Sequence, residues 1–319
     1  MKSLINLVVS GLLFYSVSLY AGDNKDTWEF LNTASQPTQL FSIPAARVLN
    51  SMEVALSGGA SFGVENSDAL LQKWIVGLGG IAEIELSTSG MSNRITGESE
   101  KISTSSFKVY LVPTRYKGKW FLPDLAVLLK SSSWNTINGD EGRILHQYTV
   151  ETKDINLVSI HDLNQRYSTL YFIAGKSCFL GSLQLGVSQT DVRTKAGQRQ
   201  IYNNVSSRYE WWDIPEMQKN FLSPFGGVEV YANESTLLMA EIQSIPVFDY
   251  DLNKHSVVID QVWLGIAGVR FLITNWLSMD TGVRYQSDDD GIADAEIDVG
   301  VNVVLPVHQL FNKNKRLSE

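Results

Sequence analysis

The chain has 319 residues, a formal net charge of −8 at neutral pH and a pI near 5.1. This acidic balance argues against a nucleic-acid partner, and a lone cysteine, Cys178, excludes an internal disulfide framework. Hydrophobic residues make up 44% of the chain and mean hydropathy is −0.05, which also suits a membrane barrel, because lipid-facing and lumen-facing residues average out.

Met1 to Ala21 reads as a secretory signal. Lys2 supplies the positive end, Leu4 to Tyr20 is mostly apolar, and small residues near Ser16 to Ser18 or Ala21 offer a cleavage point. Beyond residue 21 no run approaches a transmembrane helix. Residues 22–50 form an N-terminal segment, periplasmic or lumenal. Within it Thr38 to Leu49 is a candidate first strand, although Pro44 disfavours a central pairing; a segment tucked into a lumen is the alternative.

From Ser51 the pattern is strict. Met52, Val54, Leu56, Ala60 and Phe62 share one face, and Ser51, Glu53, Ala55, Ser57, Gly59 and Ser61 the other. Ile75 to Ser87 repeats it as one strand, with Glu83 and Glu85 on the polar side. Ser106 to Val112 and Leu122 to Ser132 follow around a tight turn at Tyr116 to Lys119. Ser133 to Arg166 is long and polar, with an extra strand at Gln147 to Ile160. Tyr167 to Lys176 and Ser182 to Ser188 precede a loop at Asp191 to Asn220. Two hairpins then flank a loop at Pro246 to Asp260: Phe225 to Tyr231 with Ser235 to Ile245, and Val262 to Ile273 with Trp276 to Ser287. The last strand, Ile292 to Leu305, is apolar at Ala293, Ala295, Ile297, Val299, Val301, Val303 and Leu305 and acidic at Asp294, Glu296 and Asp298. Residues 307–319 are a polar tail.

Strands of about ten residues can cross a membrane with tilt. Connections near residues 117, 178, 233 and 274 are short, and those near 95, 150, 205 and 253 are long. Membrane barrels pair short periplasmic turns with long outer loops, which puts the C-terminus in the periplasm. An even strand number then draws in Thr38 to Leu49 as a twelfth. Trp74, Trp120 and Trp276 fall at ends assigned to the periplasmic rim. The expected fold is all-β, a closed up-and-down antiparallel transmembrane β-barrel of 12 strands over residues 51–306, in the bacterial outer membrane. A soluble periplasmic sandwich is the rival, in which the apolar faces would meet a second sheet.

Charges recur on the polar faces: Glu53, Glu83, Glu85, Lys108, Asp124, Lys130, Glu229, Glu241, Arg270, Asp280, Arg284, Asp294, Glu296 and Asp298. Carboxylates outnumber bases in this lumen-lining set. Unpaired, they would line a watery path that prefers cations; paired, they would plug the bore as a packed polar core.

Asp298-x-Gly300-x-x-Val303-x-Leu305 resembles the terminal recognition signal of bacterial outer-membrane barrels, with Leu305 where an aromatic is usual. That resemblance implies the barrel-assembly machinery as a partner, beside outer-membrane lipid. Pro224-Phe225-Gly226-Gly227-Val228-Glu229, Leu237-Leu238-Met239-Ala240-Glu241, and the Gly-x-Arg phrases Gly268-Val269-Arg270 and Gly282-Val283-Arg284 resemble YjbH-like outer-membrane proteins over about the C-terminal third. That family is associated with exopolysaccharide production.

Motifs for chemistry are weak. Gly59-Ala60-Ser61-Phe62-Gly63 matches a nucleophile elbow but lies in a strand. His146, His161, His255 and His308 show no metal-ligand spacing, and Asp249-x-Asp251-x-Asn253 lacks the glycine and terminal glutamate of a calcium loop. Asp288-Asp289-Asp290-Gly291 reads as an acidic turn, and Trp211-Trp212 as loop packing or a sugar-stacking pair. No catalytic residue, metal or cofactor is expected. The functional expectation is a non-enzymatic envelope protein supporting polysaccharide export or passage of small solutes. Its rivals are an outer-membrane hydrolase using His146 or His161 with a serine, and a purely structural plugged barrel.

Overall fold

The computed structural model describes residues 34–62, 71–91, 100–112, 122–137, 144–149, 155–195, 197–203, 208–251, 256–289 and 291–307. The signal-peptide reading, Trp120, His255, His308 and the polar tail from residue 308 onward lie outside them. In chain order the strands are β1 (Glu53–Phe62), β2 (Leu71–Leu78), β3 (Ala82–Met91), β4 (Glu100–Tyr110), β5 (Asp124–Ser132), β6 (Asn135–Ile137), β7 (Ile144–Thr149), β8 (Ile155–His161), β9 (Leu163–Cys178), β10 (Gly181–Lys195), β11 (Gly197–Asn203), β12 (Arg208–Ile214), β13 (Met217–Asn233), β14 (Thr236–Asp251), β15 (Ser256–Leu272), β16 (Leu277–Gln286) and β17 (Glu296–Pro306).

Twelve of these close a ring in the order β1-β2-β3-β4-β5-β9-β10-β13-β14-β15-β16-β17, every neighbouring pair antiparallel. The seam is β1 on β17, running from Glu53↔Pro306 to Phe62↔Ile297. Closure removes the sheet edges that hydrocarbon could not satisfy. The outward row includes Trp74, Leu86, Phe107, Leu129, Phe172, Leu185, Ile242, Val283 and Ile297, all exposed. A sandwich would bury them under a second sheet. An apolar belt around a closed cylinder has lipid as its matching solvent, and the chain is an integral β-barrel of the bacterial outer membrane.

The twelve strands are reached by a different partition from the sequence-based one. Thr38 to Leu49 is not a wall strand; it lies inside the bore. Ile75 to Ser87 is two strands, β2 and β3, split at Gly79-Gly80. Both glycines have φ of +68°, the pair of positive φ values that a type I′ turn requires and that glycine adopts without strain. Alternation runs unbroken through that turn, so periodicity alone hides it. The final strand begins at Glu296 instead of Ile292, because Ile292–Asp294 forms a 3₁₀ turn.

Two segments expected as loops are strand. β9, β10, β13, β14 and β15 run 15 to 17 residues, well beyond the roughly ten that cross a membrane. Asp191 to Asn220 and Pro246 to Asp260 belong largely to these extensions and to β11 and β12. The connection near 253 is therefore short. Gln147 to Ile160 is likewise divided between β7 and β8, which join β11 and β12 in a separate sheet of order β12-β11-β8-β7. Beyond the coil's end of the barrel, Ile102 of β4 and Leu163, Val192, Phe248, Val257 and Ile259 of the tall strands form one buried cluster with Ile214 of β12.

Candidate functional site: a coil seated in the bore

Residues 34–50 enter the lumen as irregular chain. Ser35 and Asn50 meet Glu53 at the start of β1, so both legs stand at the end of the barrel that carries the tight Gly79-Gly80 turn. Between them the chain turns at Leu40–Ile43, where the Leu40 amide donates to the Ile43 carbonyl at 3.1 Å. Pro37 and Pro44 keep these legs from joining a ladder.

Buried backbone needs partners, and a coil has few of its own. Here the wall side chains supply them. Glu241 accepts from the amides of Phe41 (2.9 Å), Ser42 (2.8 Å) and Ile43 (3.4 Å), and from the Ser42 hydroxyl. Gln184 takes the Ala46 amide at 3.0 Å and Glu83 the Leu49 amide at 3.1 Å. Cations serve the carbonyls. Lys108 donates to Thr38 and Ala45, both at 3.2 Å, and Arg270 to Gln39 and Leu40.

These same residues are ion-paired across the wall. Lys108 meets Glu83 at 2.6 Å with both side chains nearly fully buried. Arg270 grips Asp280 through Nε and Nη2 at 2.7 and 2.8 Å. Arg47, carried by the coil, forks onto both oxygens of Glu229 at 2.8 Å, while Ser182 donates to one of them. A two-pronged guanidinium contact fixes direction as well as charge.

Inward glycines complete the socket. Phe41 places its ring against Gly268 and Gly282, which are register partners on β15 and β16. A Cβ at Gly227 would strike Leu40 and Ile43, and one at Gly77 would strike the backbone of Leu49 and Asn50. The β5–β9–β13 side is apolar instead. Leu40, Ile43, Ala45 and Ala46 pack there with Ala126, Leu128, Ile173 and Phe225.

The coil sits off-centre. On the side of β1, β2, β16 and β17 it leaves a cavity of about 180 Å³, room for on the order of ten waters or one small solute. Its walls carry Lys73, Lys130, Arg270 and Arg284 against Asp280 and Asp298.

Of the charged residues singled out in the sequence, Glu53, Glu83, Glu229, Glu241, Lys108, Arg270 and Asp280 hold the coil or its ion pairs. Glu85 receives the Gln39 amide group at 2.8 Å. Arg284 bridges Asp298 at 3.0 Å and Glu296 at 3.7 Å, and Asp124 accepts from Tyr110 at the start of β5. Lys130 borders the cavity. Asp294 stands apart: it caps the 3₁₀ turn by accepting from the Gly291 amide at 3.1 Å.

Sequence reasoning missed Arg47, Lys73, Gln184 and the role of Phe41. Lys73 shares parity with Ile75 and Gly77 and was assignable to the inner face once β2 was started at Leu71. The nucleophile-elbow serine, Ser61, lies in β1 and donates to Asp298. His146 and His161 sit on β7 and β8 of the outer sheet. Among the described residues no group of histidine, cysteine or carboxylates has the arrangement of a metal site.

No family model matches the chain, and no curated protein does. Solved structures do. The translocator domain of the autotransporter NalP from Neisseria meningitidis aligns at 12% identity and a TM-score of 0.44, covering 90% of this chain and 95% of that one. The Ralstonia pickettii toluene transporter TbuX aligns at 8% identity and a TM-score of 0.43, covering 80% and 88%. A loop-deletion form of OmpT, an outer membrane protein of Vibrio cholerae, aligns at 9% and 0.33, covering 79% and 98%.

Proposed function

We propose that the protein is a non-enzymatic conduit for small solutes, closed in this structure by its own N-terminal coil. One observation carries the reading. The coil apex is held by hydrogen bonds and ion pairs to wall side chains, with no ladder to any strand. Water can replace each such contact when the coil leaves, whereas a strand could not leave without opening the barrel. The charged lumen is then both the seat of the coil and the wall of the path it vacates.

Planar-bilayer recording tests this. The full chain should be silent or open briefly, and a chain lacking residues 35–50 should conduct continuously. A correctly folded deletion that stays silent would mean that the apolar outer cluster closes the bore by itself, and the conduit reading would fall.

Support of exopolysaccharide export is the finer form of the proposal and rests on the YjbH-like phrases. Their residues are largely those of the socket: Phe225, Gly227, Glu229, Glu241, Gly268, Arg270 and Gly282 all face the coil or its ion pairs. The resemblance therefore supports a shared seat for an internal segment more directly than a sugar site. Unchanged surface polysaccharide after gene deletion would remove this form and leave the conduit intact.

A further inference from the structure

We propose that the cavity beside the coil is a binding site for a small oxyanion, a carboxylate or phosphate group, held between Lys73 and Lys130. This deepens the conduit reading by naming the class of solute.

The acidic surplus expected of the lumen is consumed where it stands. Glu53, Glu83, Glu229 and Glu241 accept from the coil, and Asp280 and Asp298 are tied to Arg270 and Arg284. The unspent donors are cationic. Lys73 donates to the Gln39 side chain, which uses one of the three protons of its ammonium. Lys130 makes no hydrogen bond or ion pair among the described residues; it is coupled to Glu85 and to the phenols of Tyr167 and Tyr171. Both lysines line the same cavity, where their like charges oppose each other. Glu85 attracts both, but its oxygens also take the Gln39 amide and the Ser87 hydroxyl.

Two ammonium groups border one cavity; Glu85 faces both and Glu241 acts on Lys73, but the oxygens of both carboxylates are already taken by other donors, which leaves a positive field there. An oxyanion can accept a hydrogen bond from each lysine at once. The Ser57 hydroxyl, on the inward face of β1 and on the cavity wall, supplies a further donor. Beside it, Gly59 and Gly300 are register partners and put no side chain into the space.

The test is equilibrium binding to the full-length protein in detergent at constant ionic strength, with inorganic phosphate and acetate in separate arms. Saturable single-site binding of at least one anion is expected, and the preferred arm tells phosphate from carboxylate. Lys130→Gln and Lys73→Gln should each weaken it at least tenfold, Lys130→Arg should retain it within a few-fold, and Lys176→Gln, away from the cavity, should change nothing. Absence of saturable binding in both arms overturns the site. So does wild-type binding by Lys73→Gln and Lys130→Gln proteins that keep the parent melting temperature. The assay needs no conduction. A silent bilayer with intact anion binding removes the conduit alone, and a conducting coil deletion whose parent binds no anion removes the site alone.

Discussion

Replacing Glu241 by alanine should unseat the coil while leaving the barrel standing. Glu241 accepts two short amide bonds, from Phe41 and Ser42, and a longer one from Ile43. A hydrogen bond to a charged acceptor contributes about 1.5–3 kcal/mol, so the two short ones together hold the apex by about 3–6 kcal/mol. In the alanine variant these buried donors find no partner when the coil is docked, but find water when it is not. Taking the low end, about 3 kcal/mol shifts the docking equilibrium by roughly a hundredfold. Hydrogen exchange of Phe41 to Ile43 reads this directly. Protection there should fall by roughly a hundredfold or more, while the β14–β15 ladder keeps its own. Glu241→Gln retains one acceptor oxygen and should lose less. Unchanged protection at Phe41 to Ile43 in the alanine variant would show that the apex is held by something other than this carboxylate.

Three further outcomes are expected. Arg270→Leu strands Asp280 in the interior without its guanidinium, while Glu229 keeps Arg47, and removing one partner of a buried pair costs about 3–5 kcal/mol; the urea midpoint of refolded barrel should drop accordingly. Leu129→Arg places a charge in the middle of the outward face of β5, where Leu129 is 53% exposed; in lipid this should cost about 2–4 kcal/mol, whereas no loss in vesicles would mean that the face does not meet hydrocarbon. Substituting Gly79 and Gly80 together by valine forces β-branched residues to positive φ and should slow or abolish assembly by disrupting the β2–β3 hairpin, measured as folded yield.

The wall was legible because lipid outside and polar groups inside impose a period of two. That period assigned the lipid face from Val54 to Leu86 and again from Leu238 to Ile297. It could not locate Gly79-Gly80, since a tight turn that preserves alternation leaves no mark on hydropathy. It also misread Pro246 to Asp260. Toward the far ends of β14 and β15, Val247, Phe248, Val257 and Ile259 are all buried; Val247 and Phe248 stand on opposite faces of β14, so both faces are apolar and covered and the expected contrast between them disappears there. The coil had no period at all. Leu40, Ile43, Ala45, Ala46 and Leu49 are spaced to reach different walls, and their meaning depends on residues up to about two hundred positions away, as in the pairing of Ser42 with Glu241.

The width of the barrel explains why a coil is needed. Eight strands enclose a space that their own side chains can fill. Twelve enclose more, and even long paired side chains such as Arg270 and Asp280 leave a gap between opposite walls. Water could fill that gap, giving a pore, or extra chain could, giving a closed vessel. Extra chain brings buried amides and carbonyls with it, and each wants a partner. A wall rich in carboxylates and cations meets that demand in both polarities: Glu241 and Glu83 for the amides, Lys108 and Arg270 for the carbonyls. The charge pattern that reads in sequence as an ion path is therefore also what a stopper of residues 34–50 requires, which is why the proposed conduit and its closure draw on the same side chains.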